Sequence, residues 1–440
     1  MAHRSFDEIA LGRRALLRSA VLAGGGAIIG GIPLPGLLAR APEGARAWPA
    51  VTALIDGYVS SRKAANMVAA MGWGQKDPVF VSRGPLTIGQ TVAAGPDSLY
   101  RIYSMTKPIT GMAAMILIDE GNLGLDQPVA EILPAYSKMM VQKTPDGSVT
   151  DLVPAERPMT IRHLLTHTAG LGYGIMQKGP IKTLYDERGI VPGQVSRIPF
   201  PGMGRMAAVK GLDHFADALA KLPLVYQPGT RWSYSVSLDL LGRVIEVAAK
   251  QPFDRFLHER IFEPCGMTST WFRVPESEVG RLTTNYFVVN GTLVPIDPAR
   301  ASIYLDEPAF PFGGAGLVSS ARDYDRFLQM LAGLGAIRGK RVMSERAVRL
   351  GTSNLLPPGV TTKGTFADGS GFGAGGRTND GNYGWGGAAG TIAAVNIDSG
   401  LRANLMTQYM PAEALPIQSA FPAAVLKDAA AMAPVRTAGA

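Results

Sequence analysis

Ser104-Met105-Thr106-Lys107 places a serine three residues before a lysine, at the predicted start of a helix. Residues three apart lie on one face of a helix, about one turn from each other, so the hydroxyl and the amine can meet. A serine hydroxyl is a weak nucleophile at neutral pH and needs an adjacent base, which a desolvated lysine can supply. The unpaired N–H groups at the helix start favour developing negative charge. The stretch therefore predicts a nucleophilic serine at position 104.

The serine-x-x-lysine pattern occurs a second time, at Ser60 and Lys63. The pattern is too short to indicate chemistry alone, and nothing around this second copy has a catalytic character. The copy at Ser104 leads into a strongly apolar helix that ends at Gly121. Pro108 falls near its first turn, where a missing N–H group does little harm. We therefore assign the chemistry to Ser104 and discard Ser60.

Apolar periodicity and turn residues predict strands at both ends of the chain and helices between them. This order predicts one sheet built from both ends, with a helical segment inserted in the middle. Residues 48–103 with 301–440 are expected to form the sheet domain, and residues 104–300 a mainly helical domain. The glycine- and proline-rich segments 172–206 and 305–316 are predicted loops. Strands are predicted near 67–73, 79–81, 390–397 and 403–409, and helices near 51–63, 161–165, 213–221, 238–250, 321–334 and 415–432.

The composition is that of a folded globular enzyme. Hydrophobic residues make up 46% of the 440 residues and charged residues 18%. The formal charge of +8 is spread along the chain, with no basic run interleaved with aromatic residues, so no nucleic-acid partner is predicted. Cys265 is the only cysteine, which excludes an internal disulfide and a multi-cysteine metal site. Neither a cofactor nor a metal is predicted.

Residues 1–47 differ from the rest of the chain and resemble a twin-arginine export signal. Arg13, Arg14 and Arg18 precede an apolar, glycine-rich stretch, and Ala45-Arg46-Ala47 offers a small-x-small cleavage site. Glycines and prolines dilute the apolar stretch, so a stable membrane span is not expected. We expect a periplasmic or secreted protein; the alternative is a basic leader on a cytoplasmic protein.

A second element with possible chemistry is Tyr234-Ser235-Val236, about 130 residues after Ser104. It follows a turn and precedes a predicted helix. A tyrosine at such a position can deprotonate a nucleophile or protonate a leaving group, provided that a nearby positive charge such as Lys107 stabilises the phenolate. The alternative is an ordinary half-buried tyrosine with a hydrogen-bonded hydroxyl.

A third element is the glycine-rich run from Tyr383 to Thr391, which leads into a predicted strand. Glycines at a strand edge let backbone N–H groups approach a substrate without side-chain obstruction. An oxyanion hole needs such donors. The alternative is a plain glycine-rich hairpin.

Together the three elements resemble the serine β-lactamase and penicillin-binding protein superfamily. The run Leu164-Leu165-Thr166-His167-Thr168-Ala169-Gly170-Leu171 and the tyrosine triplet resemble its class C branch. Leu238-Asp239-Leu240-Leu241-Gly242 and the Trp385-Gly386-Gly387 triplet are similar to the esterases of family VIII. The resemblance covers most of residues 50–425, with the motifs in the family's order.

The resemblance implies an α+β fold, in which an antiparallel sheet from both termini is flanked by helices and carries an inserted helical domain. It also implies an acyl-enzyme formed on Ser104, with Lys107 and Tyr234 sharing the serine proton. The backbone N–H groups of Ser104 and Ala388 would form the oxyanion hole. Which of Lys107 and Tyr234 acts as the base is left open, because the two would titrate as a coupled pair. Residues implied to line or support the substrate pocket are Tyr173, Val236, Asp239, Trp385, Gly386 and Gly387.

Two departures from the lactamase pattern favour esters. Trp385 stands where lactamases usually carry a lysine that binds the substrate carboxylate, and Val236 stands where they usually carry an asparagine. Both changes suit a neutral small-molecule ester with an apolar acyl group, selected mainly by size. An acyltransferase, amidase, D-aminopeptidase or β-lactamase on the same fold is the alternative, followed by a non-catalytic receptor. The loops at 172–206 and 305–316 are expected to shape the acyl pocket.

Competing signals are weak. No serine lies in a Gly-x-Ser-x-Gly pattern, so the nucleophile elbow of α/β-hydrolases is absent. His163 and His167 are four residues apart, as metal ligands can be, but no His-Glu-x-x-His pattern accompanies them. We therefore expect these histidines to make core or loop hydrogen bonds.

Overall fold

The computed structural model describes residues 47–198 and 208–432. Its main sheet has seven antiparallel strands in the order β11-β12-β13-β14-β15-β1-β2. Two strands come from the N-terminal part of the chain and five from the C-terminal part, which confirms the expected sheet from both termini. The strands are β1 (Met67–Trp73), β2 (Val79–Arg83), β11 (Gly371–Phe372), β12 (Arg377–Asn379), β13 (Asn382–Gly386), β14 (Ile392–Asn396) and β15 (Leu401–Met406).

In the part of the chain that the structure describes, nine further strands pair into four small sheets outside the main one. β3 pairs with β8, β4 with β5 and β9 with β10, while β6 lies between β7 and β16. Strand β3 matters for the site, because it runs directly into the segment that carries Ser104. These strands are β3 (Leu99–Arg101), β4 (Met140–Gln142), β5 (Leu152–Pro154), β6 (Asn285–Val289), β7 (Thr292–Asp297), β8 (Val318–Ser320), β9 (Ala336–Ile337), β10 (Lys340–Arg341) and β16 (Tyr409–Met410).

The helices cover both faces of the main sheet and fill the middle of the chain. Helices α1 and α10 pack on one face, and α8 packs on the other. The helices are α1 (Pro49–Ser60), α2 (Thr106–Asp119), α3 (Ile161–Leu165), α4 (Gly179–Glu187), α5 (Leu212–Ala220), α6 (Ser237–Ala249), α7 (Phe253–Leu257, continuing through the π-helical turn His258–Phe262 to Glu263–Cys265), α8 (Ala321–Ala332), α9 (Glu345–Thr352) and α10 (Ile417–Met432).

Strand β1 shows why the sheet is covered on both sides. Its side chains alternate between two hydrophobic clusters, as the two-residue period of a strand requires. Met67, Ala69 and Met71 pack with α1 and α10, whereas Val68 belongs to the large core on the opposite face. A strand buried on both faces reads as a continuous apolar run, which is how residues 67–73 appear in the sequence.

Helix α2 is the central helix of the large core. Every residue from Thr106 to Leu117 is buried, so the helix is covered all round rather than on one stripe. It packs against α6 and α9. A side chain at Gly111 would place its Cβ 2.0 Å from the carbonyl oxygen of Ala374, so this glycine permits the close approach of the segment before β12.

One predicted loop was wrong in part. Residues 172–206 were expected to lack secondary structure, but residues 179–187 form helix α4. Ile181 and Tyr185, one helical turn apart, are buried and provide the apolar stripe, and Pro180 occupies the first turn. The loop composition of the surrounding residues concealed this short pattern. Residues 199–206 lie outside the described residues.

The predicted leader, residues 1–47, lies outside the described residues except for Ala47. Within the described ranges, no helix is long and apolar enough to cross a membrane. The proposed division into domains at residues 103 and 300 stays a prediction.

Candidate active site

Ser104 lies on the 3₁₀ turn Tyr103–Met105, between strand β3 and helix α2. Tyr103 has φ of 43°, in the left-handed region that costs a non-glycine residue of order 1 kcal/mol. Asn285 holds this tyrosine in place by donating from Nδ2 to the Tyr103 hydroxyl at 3.1 Å. The turn leaves Ser104 half-buried although the residues on either side of it are buried. The partly exposed Ser104 is thus presented by a turn whose neighbouring residues are buried.

The structure brings Ser104, Lys107 and Tyr234 together. The Tyr234 hydroxyl donates to Ser104 Oγ at 2.8 Å, and Lys107 Nζ lies 3.1 Å from the same oxygen. Lys107 is fully buried, and 7% of Tyr234 is exposed. A neutral Lys107 amine or a Tyr234 phenolate can instead accept the proton of the Ser104 hydroxyl across the same contact. The residues and distances therefore suit an activated nucleophile.

Two N–H-bearing side chains contact Tyr234 besides its bond to Ser104, one at its ring and one at its hydroxyl. Lys107 Nζ lies 4.6 Å from the centre of the Tyr234 ring, and Trp385 Nε1 donates to the Tyr234 hydroxyl at 3.1 Å. The indole N–H thus holds the Tyr234 hydroxyl in position. The sequence analysis considered Trp385 as a pocket residue that stands in place of a lysine. In the folded protein the indole N–H also supports the candidate base.

Lys107 is positioned by Gly314 in the 305–316 loop. Its ammonium donates to the carbonyl oxygen of Gly314 at 2.6 Å, while the N–H of Gly314 donates to Asp239 Oδ1 at 2.8 Å. A Cβ at position 314 would lie 2.6 Å from Asp239 Oδ2, so only glycine fits there. Asp239, on the first turn of α6, therefore fixes the position of Gly314, and the Gly314 carbonyl in turn accepts from Lys107.

Burial raises the pKa of Asp239 to about 6, and the positive charge of Lys107 opposes this rise. A carboxyl whose pKa is higher in the folded state than in the unfolded chain binds more protons when folded. Its contribution to stability is therefore present at low pH and is lost as pH rises from about 4 to about 6.

We accordingly expect the variant Asp239→Asn to become more stable relative to the wild type, in free energy of unfolding, as pH rises from 4 to 6. The gain should reach up to about 3 kcal/mol and level off above about pH 7. Urea denaturation at pH 4, 5, 6 and 7 measures it, with exposed Asp254→Asn as the control for removing one acidic charge. A difference that does not change with pH would mean that Asp239 does not gain a proton on folding in this range.

Tyr173 and Val236, two of the residues implied to line or support the substrate pocket, are both buried. The Tyr173 ring lies 5.3 Å from that of Tyr234, edge to face, and its hydroxyl donates to the Pro192 carbonyl at 3.4 Å. The Tyr173 ring thus packs against Tyr234, and the Tyr173 hydroxyl is hydrogen-bonded to the loop at Pro192. Val236 is fully buried at the N-cap of α6.

The glycine-rich run forms the turn between β13 and β14. The N–H of Gly387 donates to the Thr391 carbonyl at 2.8 Å, and the N–H of Gly390 donates to the Gly387 carbonyl at 3.1 Å. A Cβ at Gly387 would lie 2.4 Å from the carbonyl oxygen of Ile102, two residues before Ser104. The turn therefore packs directly against the start of the nucleophile segment. Ala388 is exposed within it.

Gln418 braces this turn and was not predicted. Its Nε2 donates to the carbonyl oxygens of Gly387 at 2.9 Å and Thr391 at 2.8 Å, on either side of Ala388. A Cβ at Gly386 would lie 2.7 Å from the same nitrogen, so the glycine makes room for the amide. Gln418 belongs to α10, and a single glutamine on a C-terminal helix carries no local signal of this role.

An aromatic cluster surrounds Tyr234 on its remaining sides. We define it by four side chains whose ring centres lie 5.2–6.2 Å from that of Tyr234 or from each other: Trp232, Phe366, Phe372 and Trp385. Three of them are buried, but 44% of Phe366 is exposed. The sequence analysis identified only Trp385. The others were missed because single aromatic residues at separate positions have no recognisable spacing.

The two histidines have structural partners. His163 Nδ1 accepts from the N–H of Thr160 at 3.2 Å, within the capping box that starts α3. His167 Nδ1 lies 3.0 Å from the Ser235 hydroxyl, and its ring packs 4.7 Å from that of Tyr234. Burial holds the pKa of His167 well below its ordinary value, and the charge of Lys107 lowers it further, so this ring is neutral at pH 7. Among residues 47–198 and 208–432, no cluster of three or more His, Cys, Asp or Glu residues could hold a metal ion.

This chain resembles known proteins over much of its length. The sequence model of a family described as "Beta-lactamase" matches residues 51–423. An uncharacterised protein of Mycobacterium tuberculosis is 38% identical over 260 residues, 59% of this chain and 60% of that protein. Esterase EstB of Burkholderia gladioli is 33% identical over 250 residues, 53% of this chain and 57% of that protein. The chain thus spans about 60% of the length of these relatives.

A solved structure extends the likeness to nearly the whole chain. EstCE1, described as a hydrolase with promiscuous acyltransferase activity, superposes with a TM-score of 0.68 at 24% sequence identity. The superposition covers 86% of this chain and 99% of EstCE1. At this identity the match bears on the fold, and it agrees with the α+β architecture described above.

Proposed function

This chain belongs to the β-lactamase family, and we propose that it is a serine hydrolase that cleaves carboxylic esters through an acyl-enzyme on Ser104. The observation that carries the proposal is the contact of Ser104 Oγ with both Tyr234, at 2.8 Å, and Lys107, at 3.1 Å. The similarity to Esterase EstB supports the choice of esters. No cofactor enters this chemistry.

In the proposed reaction, Ser104 Oγ attacks the ester carbonyl carbon and its proton passes to the Lys107–Tyr234 pair. The resulting oxyanion is held by the N–H groups of Ser104 and Ala388. The pair then returns the proton to the alcohol oxygen as the C–O bond breaks. Water next attacks the acyl-enzyme and gives a proton to the same pair, which reprotonates Ser104 as the carboxylic acid leaves.

The experiment that tests the proposal is steady-state hydrolysis of a p-nitrophenyl acyl series and of a chromogenic cephalosporin, followed by labelling with a serine-directed phosphonate. We expect fast ester turnover, little lactam turnover and a single phosphonate adduct on Ser104, located by peptide mass spectrometry. An unlabelled Ser104 with no turnover would contradict the proposal and favour a non-catalytic receptor. Lactam turnover equal to ester turnover would favour a β-lactamase.

Esters are preferred over lactams in this proposal because the usual binders of a lactam are replaced. Trp385 carries no charge for a substrate carboxylate, and its indole N–H is already donated to Tyr234. Val236, where lactamases carry an asparagine, is fully buried and has no polar side-chain atom. Discrimination would then depend on size and apolar fit.

We expect the double change Trp385→Lys with Val236→Asn to raise the ratio of lactam acylation to ester hydrolysis about tenfold or more. The physical reason is that a buried polar group recognises its substrate partner strongly. Burst-phase acylation by the chromogenic cephalosporin, relative to kcat/KM for p-nitrophenyl acetate, measures the ratio. The single change Trp385→Phe is the control, because it removes the indole N–H without adding a cation. An unchanged ratio in the double variant would show that these two positions do not exclude lactams.

An acyltransferase is the second candidate. The same acyl-enzyme would transfer its acyl group to an alcohol in place of water, and the walls around Tyr234 are aromatic and apolar. A curated relative, the acyltransferase calJ of Penicillium decumbens, is 29% identical over 234 residues. Product analysis with an added alcohol acceptor separates the two: a new ester would favour transfer, and carboxylic acid alone would favour hydrolysis.

We further propose that the protein is exported by the twin-arginine route to the periplasm or beyond the cell. The proposal rests on Arg13, Arg14 and the apolar stretch that follows them. Cell fractionation of the full chain and of Arg13→Lys with Arg14→Lys tests it. We expect the double variant to remain uncleaved in the cytoplasm, whereas an intact wild type in the cytoplasm would contradict export.

A further inference from the structure

Phe366 is an exposed aromatic side chain in contact with the candidate catalytic tyrosine. Its ring centre lies 5.4 Å from that of Tyr234, with the two ring planes at 89°, and 5.9 Å from that of Trp385. It also lies 5.4 Å from Trp232. With 44% of its surface exposed, it is the one member of the aromatic cluster with a large face open to solvent. Apolar surface of a phenylalanine is less favourable in water than in contact with another apolar group, so an apolar substrate group that covers Phe366 would gain binding free energy.

The loop that carries Phe366 is held in position by its own hydrogen bonds. The adjacent Ala367 is fully buried, and its N–H donates to the Thr365 hydroxyl at 3.1 Å. Arg377 donates to the Phe366 carbonyl at 2.9 Å, and its guanidinium carbon lies 5.5 Å from the centre of the Trp385 ring. The same cation therefore connects the loop backbone to the side chain that donates to Tyr234. Phe366 is presented at a defined place beside the reactive groups.

The position of Phe366 relative to Tyr234 indicates which part of a substrate it would meet. In the proposed reaction the Lys107–Tyr234 pair returns a proton to the alcohol oxygen, so the alcohol group has to lie near the Tyr234 hydroxyl. Phe366 packs its ring against the Tyr234 ring and against Trp385. A ring-sized apolar group attached to that alcohol oxygen can cover the exposed face of Phe366, and aromatic pairs of this kind add specific stabilisation.

We propose that Phe366 is the alcohol-side specificity residue of this enzyme and selects esters whose alcohol carries an aromatic or similarly bulky apolar group. The inference rests on the proposed ester hydrolysis at Ser104. It assigns the preference to the alcohol and not to the acyl chain. Phe366 itself takes no part in proton transfer.

The test compares 1-naphthyl acetate with 2,2,2-trifluoroethyl acetate in wild type and in Phe366→Ala. Both substrates form the same acetyl-enzyme, so kcat/KM reports the step in which the alcohol is still bound. We expect Phe366→Ala to lower kcat/KM for the naphthyl ester about tenfold and to change the trifluoroethyl ester less than about twofold. Phe366→Tyr, which keeps the ring, should restore the naphthyl preference.

The matched control is Leu426→Ala, which removes another exposed apolar side chain on helix α10, and its ratio should equal that of the wild type. An equal loss for both acetates in Phe366→Ala would overturn the specificity role. A loss that grows with acyl length in the p-nitrophenyl series would place Phe366 on the acyl side and also overturn the assignment. If the wild type hydrolyses neither acetate, the proposed function fails, which is distinct from an active wild type whose preference ignores Phe366.

Discussion

Ser104→Ala is expected to lower kcat for p-nitrophenyl esters by at least about 10³-fold. The small rate that remains would come from the oxyanion donors, which the substitution leaves in place. The reason for the loss is that, of the hydroxyl groups in the described residues, that of Ser104 contacts both Lys107 and Tyr234. Loss of one half-buried oxygen removes no core packing, so the thermal unfolding midpoint should stay within a few degrees of the wild type. Steady-state kinetics and circular dichroism on the same preparations provide both measurements.

The second serine-x-x-lysine copy gives a matched control for this prediction. Ser60 ends helix α1, and both Ser60 and Lys63 are exposed. Ser60→Ala should keep full activity. Comparable losses in the two variants would show that the pattern at Ser104 is not the nucleophile, whatever its contacts.

Tyr234→Phe and Lys107→Ala are each expected to lower kcat about 10²- to 10⁴-fold, the range that a positioned acid or base contributes. Tyr234→Phe removes the 2.8 Å contact to Ser104 and leaves Trp385 Nε1 without its acceptor. Lys107→Ala removes the 3.1 Å contact to the serine and the donor to Gly314. Pre-steady-state measurement of acylation and deacylation shows which step each change slows.

Exposed Lys63→Ala is the control for loss of a lysine in the same sequence pattern. If Tyr234→Phe kept full activity, the tyrosine would have no part in the mechanism, and Lys107 would be the base alone. If both variants lost activity by similar factors and the double variant lost no more, the two groups would act as one unit, as expected for a coupled pair.

Asp239 and Gln418 hold two backbone segments of the candidate site by hydrogen bonds: the loop at Gly314 and the glycine-rich turn. Asp239 accepts from the N–H of Gly314, whose carbonyl receives Lys107 Nζ. Gln418 donates to the two carbonyls that flank Ala388 in the glycine-rich turn. One side chain therefore positions Lys107 through Gly314, and the other positions the proposed oxyanion donor, although neither is hydrogen-bonded to Ser104. Such supporting contacts keep reactive groups near a productive geometry.

Most of the regular structure could be predicted from the chain because its signals are local. The apolar run at 67–73 and the spacing within 238–250 identified β1 and α6 to within one or two residues. Helix α4 was missed, because its short apolar stripe lies inside a segment rich in glycine and proline. Tertiary burial of Ile181 and Tyr185 stabilises it, and a short helix draws most of its stability from such packing.

The amino-acid sequence alone determined that the side chains of Ser104 and Lys107 meet, because a separation of three residues on a helix fixes their distance through backbone geometry. Order and spacing of motifs also determined the family and the sheet built from both termini. Only the tertiary structure decided that Trp385 donates to Tyr234, that Gly314 links Asp239 to Lys107, and that Phe366 remains exposed beside them. These contacts join residues from 75 to 207 positions apart. No local periodicity encodes such pairs, since they arise when separate elements pack into one core.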